Sequence, residues 1–175
     1  SVIFVVLSYS AWVQASKWKN NGTIYQYTLE IDPDNKLALH NYAADINQKA
    51  KKLAREGNFE EAYVKWSQAI KMDPQYAALK VDFGNAFAAE GKLKNAEEQY
   101  RLAIKIQPED ALTLANLGSV LIRKGKIDQA LEEIDHALRL KPDFLEALIL
   151  KAGVLTISKN YLGAIDQYKR ALVID

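Results

Sequence analysis

No cysteine occurs in the 175 residues, which excludes disulfides and thiolate-ligated zinc as the source of stability. Histidine is nearly absent as well. His40 and His136 have no ligand following at i+3 or i+4, so they read as surface or interface residues rather than metal ligands. Excess charge of either sign is also missing. Lys and Arg number 23 against 22 Asp and Glu, and this balance lacks the basic field that drives phosphate-backbone binding, so nucleic acid is not an expected partner. What remains is 49% hydrophobic and 26% charged, a globular composition with enough apolar material for a core.

The four prolines and eight glycines are few, and their placement is periodic. Pro74, Pro108 and Pro142 lie 34 residues apart. Counting back from Pro108 gives Ala103, Tyr100, Ala96 and Gly91; the same steps give Ala69, Trp66, Ala62 and Gly57 from Pro74, and Ala137, Ile134, Ala130 and Gly125 from Pro142. Ala171, Tyr168, Ala164 and Lys159 keep this register at the end of the chain. Small residues at the eighth position of each first helix (Ala50, Gly84, Gly118, Ala152) mark close helix approach, and large ones fall at the eleventh (Leu53, Phe87, Leu121, Leu155).

Period and pattern together resemble the tetratricopeptide repeat. The resemblance is strong over 36–175 and weak over 2–35. It implies an all-α fold, a right-handed superhelix of antiparallel helix pairs, that binds other proteins and has no catalysis, cofactor or metal of its own. Repeats are expected at 36–76, 77–110, 111–144 and 145–175, after a hydrophobic, degenerate capping segment at 1–35. Helices are expected near 59–72, 77–90, 93–106, 111–124, 127–140, 145–158 and 161–174. Gly57, Gly91 and Gly125 suit left-handed helix ends. At Lys159-Asn160 the left-handed residue is expected to be Asn160, with a small shift of the turn. Pro33 and Pro74 are 41 residues apart, and the seven extra residues, free of Gly and Pro, read as a two-turn extension of one helix from about Asn35 to Glu56.

Residues 2–13, VIFVVLSYSAWV, form the most apolar stretch, followed by Lys17, Trp18 and Lys19. It reads either as the end of a membrane helix with Trp12 and Trp18 at the headgroups, or as the first helix of a degenerate repeat whose second helix runs from about Asn20 to Ile31, or as a signal remnant. A first helix here would contact Leu39, Tyr42 and Ile46. The start at Ser1 and the end one residue before the next repeat proline suggest a piece of a longer chain. Residues 15–42 also resemble, weakly, the junction of membrane-bound glycosyltransferases that end in tetratricopeptide repeats, which implies an accessory role beside a catalytic part that is not in this sequence. A self-assembling array is a third reading, with self-association expected at the apolar C-terminal end. Localisation follows only from the first of these, as membrane association through the segment before residue 18.

Glu60-Glu61, Glu97-Glu98 and Glu132-Glu133 read as acids near positive helix starts rather than a catalytic pair. Trp66, Tyr100 and Tyr168 share one repeat position and read as core. Asn21-Gly22-Thr23 fits an N-glycosylation acceptor. The family resemblance places binding on the inner face of the first helices. Residue by residue this gives Asn47, Gln48, Lys51 and Arg55, then Asp82 and Asn85, then Asn116, Ser119 and Arg123, then Glu146, Ile149, Leu150, Gly153, Thr156 and Ile157. The peptide-binding groove is expected at Asn47, Lys51, Asp82, Asn85, Asn116, Ser119 and Arg123, polar side chains not needed for packing, with the two cations favouring an acidic protein or peptide partner. A carboxylate clamp of the chaperone-binding subfamily is not expected, because Val81, Glu146 and Leu150 stand where its basic residues belong.

Overall fold

Helix-forming sequence, stop signals and small-residue spacing combine into one recurring unit, which the computed structural model describes over residues 21–174. Among the described residues there are nine helices and no strand. They are α1 (Asn21–Ile31), α2 (Lys36–Arg55), α3 (Phe59–Met72), α4 (Ala77–Ala89), α5 (Leu93–Ile106), α6 (Ala111–Arg123), α7 (Ile127–Leu140), α8 (Leu145–Ile157) and α9 (Tyr161–Leu172). The expected α3, α5 and α7 agree at both ends. The long helix is present, and its expected first and last residues are its caps: Asn35 accepts from Ala38 N at 3.0 Å, and Glu56 closes the C-terminus.

Every first helix from α2 onward ends in the same hydrogen-bond pair. Gly57 N donates to Ala54 O and Asn58 N to Leu53 O; Gly91, Gly125 and Lys159, each with its following residue, repeat the arrangement. This double bond needs a left-handed residue, supplied by φ of 82° at Gly57, 75° at Gly91 and 73° at Gly125. At the fourth turn the expectation is corrected. Lys159 takes the left-handed place with φ 61°, and Asn160, at φ −85°, caps α9 by accepting from Gly163 N. The two bonds and the cap fix the turn in register, at the modest cost of a left-handed lysine.

The chain forms two compact units, residues 1–79 and 80–175, with the boundary inside α4. In the first, α1 and α3 both pack on α2, around Ala43, Ile46, Ala50, Ala62, Trp66 and Ala69, all at most 3% exposed. Gln26 of α1 donates to the Tyr42 hydroxyl. Thr28, at an expected alanine position, bonds its own helix at Ile24 O, 2.9 Å away, which satisfies the hydroxyl without a close neighbour. Asn21 is helical, but its side chain and residues 1–20 lie outside the described structure, as do the contacts expected of residues 2–18 and the glycan-acceptor asparagine. No helix among the described residues is long and apolar enough to cross a membrane.

In the second unit α5 packs on α6, α6 on α7, α7 on α8 and α8 on α9, and α6 also touches α8. Helices of about 13 residues are marginal alone, so packing holds them. Leu114, Leu117, Leu121, Ile134 and Leu148 are fully buried, each contributing about 1.5–3 kcal/mol. The eighth-position glycines make this packing possible: a Cβ on Gly84 would stand 2.7 Å from Tyr100, and one on Gly118 2.6 Å from Ile134.

Candidate functional site

The expected groove residues divide between the units, Asn47 and Lys51 in the first and the other five in the second. In the first unit Asn47 is a packing residue. It is 3% exposed, and the Trp66 indole donates to its Oδ1 at 2.7 Å, so its amide oxygen holds a core aromatic in place. This corrects the expectation of a side chain not needed for packing. Lys51, one turn on, is half-buried.

In the second unit polar side chains tie α6 to α4. Asn85 Oδ1 accepts from the Tyr100 hydroxyl at 2.7 Å and from Asn116 Nδ2 at 3.3 Å. Arg123 Nη1 donates to the Ala88 carbonyl, 2.8 Å away in the last turn of α4. Here too the expectation needs correcting. Asn85 and Arg123 spend part of their bonding capacity inside the fold, the first because a buried phenol needs an acceptor, the second as an additional donor to a carbonyl that also accepts from Gly91 N at 3.1 Å. Burial pushes the Tyr100 phenol up to about 12, although Arg123 pulls it down, so the hydroxyl remains a donor through the physiological range. Asn85 and Arg123 are exposed, and Asp82, Asn116 and Ser119 are half-buried. Asn85 keeps its amide N–H groups, and Asn116 its carbonyl oxygen and one N–H, outside these bonds.

Tyr100 and Trp66 are the partners that the expected groove omitted. Both are 2% exposed or less, as a core position requires. Their polar ends were the available signal: a donor-bearing aromatic coincides with an asparagine on its first helix in both repeats, whereas Ile134, in the next repeat, has no donor to offer Asn116, which bonds Asn85 instead. Tyr168 departs from the core expectation at 43% exposed, since no helix of the described residues covers α9 on that side.

The acidic pairs also separate. Glu60 and Glu61 sit in the first turn of α3, as expected. Glu97 instead anchors a network: its carboxylate accepts from Lys124 at 2.5 Å, Arg101 at 3.1 Å and Lys126 at 3.2 Å, and Arg101 reaches Glu133 at 3.6 Å. The hydrogen bond from Lys124 is the main reason its carboxyl is held down at about 2. His40, half-exposed, lies 2.7 Å from Asp73 and against the Tyr76 ring.

Two family models match the chain, "TPR repeat" over residues 84–125 and "Tetratricopeptide repeat" over 116–175. No curated protein sequence matches. Among solved structures, MamA aligns over 86% of this chain and 84% of its own, at 21% identity and TM-score 0.68. The pilF protein of Pseudomonas aeruginosa aligns over 99% and 74%, at 21% identity and TM-score 0.69. The second such domain of Spaghetti (RPAP3), bound to the HSP90 peptide SRMEEVD, aligns over 58% and 94%, at 25% identity and TM-score 0.56. None of these supports the glycosyltransferase resemblance of residues 15–42. The repeated helix pairs, their shared caps and the two model matches lead to one conclusion: residues 84–175 are tetratricopeptide repeats, in a chain whose fold is an all-α solenoid.

Proposed function

We propose that this protein is a non-enzymatic scaffold that binds an extended peptide segment of a partner protein along the first helices of its second unit. Tetratricopeptide repeats are protein-interaction modules, and a neighbour in fold is bound to a peptide. The observation that carries the reading is the amide pair Asn85–Asn116. Its carbonyl and N–H groups, held by Tyr100, are oriented and only partly used, which suits a peptide backbone whatever its side chains. Asp82, Ser119 and Arg123 flank the pair. The acidic HSP90 peptide of the neighbour is not the expected ligand, since Val81, Glu146 and Leu150 occupy the places of a basic clamp and Arg123 is bonded to Ala88. Tethering to a membrane belongs to this proposal as an arrangement of residues 1–18, on the strength of their composition alone.

The test uses peptides selected from a displayed random library against the 175-residue chain. Asn85 is left intact, because its removal would strand the Tyr100 hydroxyl. Asn116→Ala combined with Ser119→Ala removes two direct bonds and should weaken the selected peptides by roughly tenfold at unchanged helicity. If the affinity stays constant and is lost instead on Glu98→Ala with Glu132→Ala, on the second helices, the groove reading fails.

A further inference from the structure

The two amides of the proposed groove are not equivalent, because the hydrogen bonds they make inside the fold decide what each can offer a ligand. An amide oxygen has two lone pairs. At Asn85 both are taken, one by the Tyr100 hydroxyl at 2.7 Å and one by Asn116 Nδ2 at 3.3 Å, so this residue meets a ligand with N–H groups alone. Asn116 is the complement. It has given one N–H to Asn85 and keeps its carbonyl oxygen, which makes it the acceptor of the pair. Turning the Asn85 amide round would set its N–H groups against the Asn116 N–H and leave the buried phenol without an acceptor. The core therefore fixes which end of each amide faces outward.

Such a pair distinguishes the two directions of a bound chain. In an extended segment the N–H and C=O of one residue point to the same side, with the N–H nearer the N-terminus. One residue can give its N–H to Asn116 Oδ1 and its C=O to Asn85 Nδ2 only when the chain runs, N to C, from α6 towards α4. The reverse places N–H against N–H at Asn85 and loses a bond. Ser119 both donates and accepts, so it opposes neither direction. Resting on the groove reading above, we propose that the site takes extended segments in this one direction, anchored on a residue whose backbone N–H and C=O are both free. Proline is excluded at the anchor, since it has no N–H.

The test uses library-selected peptides against the 175-residue chain. Backbone N-methylation, residue by residue, locates the anchor as the position where affinity falls by roughly tenfold, the upper scale of one direct bond. That loss should vanish on Asn116→Ala, with helicity checked by circular dichroism. Direction is read by disulfide exchange, for which a chain without cysteine gives no background. Leu112 of α6 and Ala89 of α4 are exposed, each one turn from its asparagine. In a glutathione buffer, Leu112→Cys should pair about tenfold more with a peptide cysteine two residues before the anchor than with one two residues after it, and Ala89→Cys the converse. A reversed pattern, as Asp82 on α4 would give by accepting the N–H, or equal pairing at both sites overturns the direction and leaves the groove reading standing. So does N-methylation without effect at every position, or a loss that persists on Asn116→Ala. If Asn116→Ala with Ser119→Ala leaves the affinity unchanged, the groove reading fails and the direction with it.

Discussion

The pairs α6–α7 and α8–α9 share a backbone plan and differ in how tightly they are built in. In α6–α7, Gly118 lets Ile134 come so close that a methyl group would not fit. In the last pair the eighth position is Ala152, and the glycine stands one residue later at Gly153, where a Cβ would meet nothing within 4 Å. Ion pairing differs in the same direction. Glu97 of α5 reaches Lys124 and Lys126 in the turn after α6. One repeat on, these places hold Leu131, Ser158 and Asn160, and one further on Glu97 becomes Ile165, 49% exposed. Fitted packing and the Glu97 network therefore give way along the second unit to apolar surface with, among the described residues, a single ion pair, Lys151 of α8 to Asp135 of α7 at 2.7 Å, and repeats that share a fold need not share a source of stability.

Gly118→Leu attacks the tight side of this comparison and should have the largest effect. The new side chain has no space beside Ile134, itself fully buried, so overpacking should cost roughly 3 kcal/mol or more, far above the helix-propensity gain of about 1 kcal/mol. Urea unfolding gives the answer. A midpoint near that of the unaltered chain would mean that α6 and α7 are not in close contact.

Much of this was legible in the residues, because a 34-residue period repeats the same demand at each turn. Three glycines at one offset announced three left-handed caps. The fourth falls at Lys159 rather than Asn160, because α9 uses Asn160 as its N-cap, a competing demand that an asparagine's tolerance of left-handed backbone does not reveal. The candidate site was harder. The family register assigns Asn47, Asn85 and Arg123 to the inner face of the first helices. Register does not show what a side chain bonds to, and each of these three answers a local need: an indole N–H, a phenol and a terminal carbonyl. Glu97 was hidden for the same reason, as its cations come from another repeat, 27 and 29 residues away.

The charge network gives the next prediction. Glu97 is held down at about 2, against an ordinary value near 4.5, and its side chain is only 12% exposed. A lowered folded-state value stabilises the fold above about pH 4.5, and that contribution fades as pH falls towards 2. Glu97→Gln should therefore destabilise by at most about 3 kcal/mol at neutral pH, with the gap from the unaltered chain narrowing between pH 5 and pH 3. A gap independent of pH would assign the loss to packing and remove the electrostatic contrast between the two pairs.

Gly153→Ala probes the loose side and should have the smallest effect, of opposite sign. Gly153 lies inside α8, away from both caps, and its φ is not in the left-handed region, so alanine can take its backbone conformation. A glycine in a helix interior costs about 0.5–1 kcal/mol relative to alanine, because the unfolded chain loses more freedom on folding. At Gly118 an added methyl meets Ile134 and that gain is outweighed; at Gly153 it meets open space. Gly153→Ala should therefore raise Tm by about 1–4 °C in a domain of this size, while Gly118→Ala lowers it. Differential scanning calorimetry of the two variants separates the effects, since both make the same chemical change on the first helices of successive repeats. A lower Tm for Gly153→Ala would place an unseen neighbour against α8 at this point, and the last pair would then be as closely fitted as the one before it.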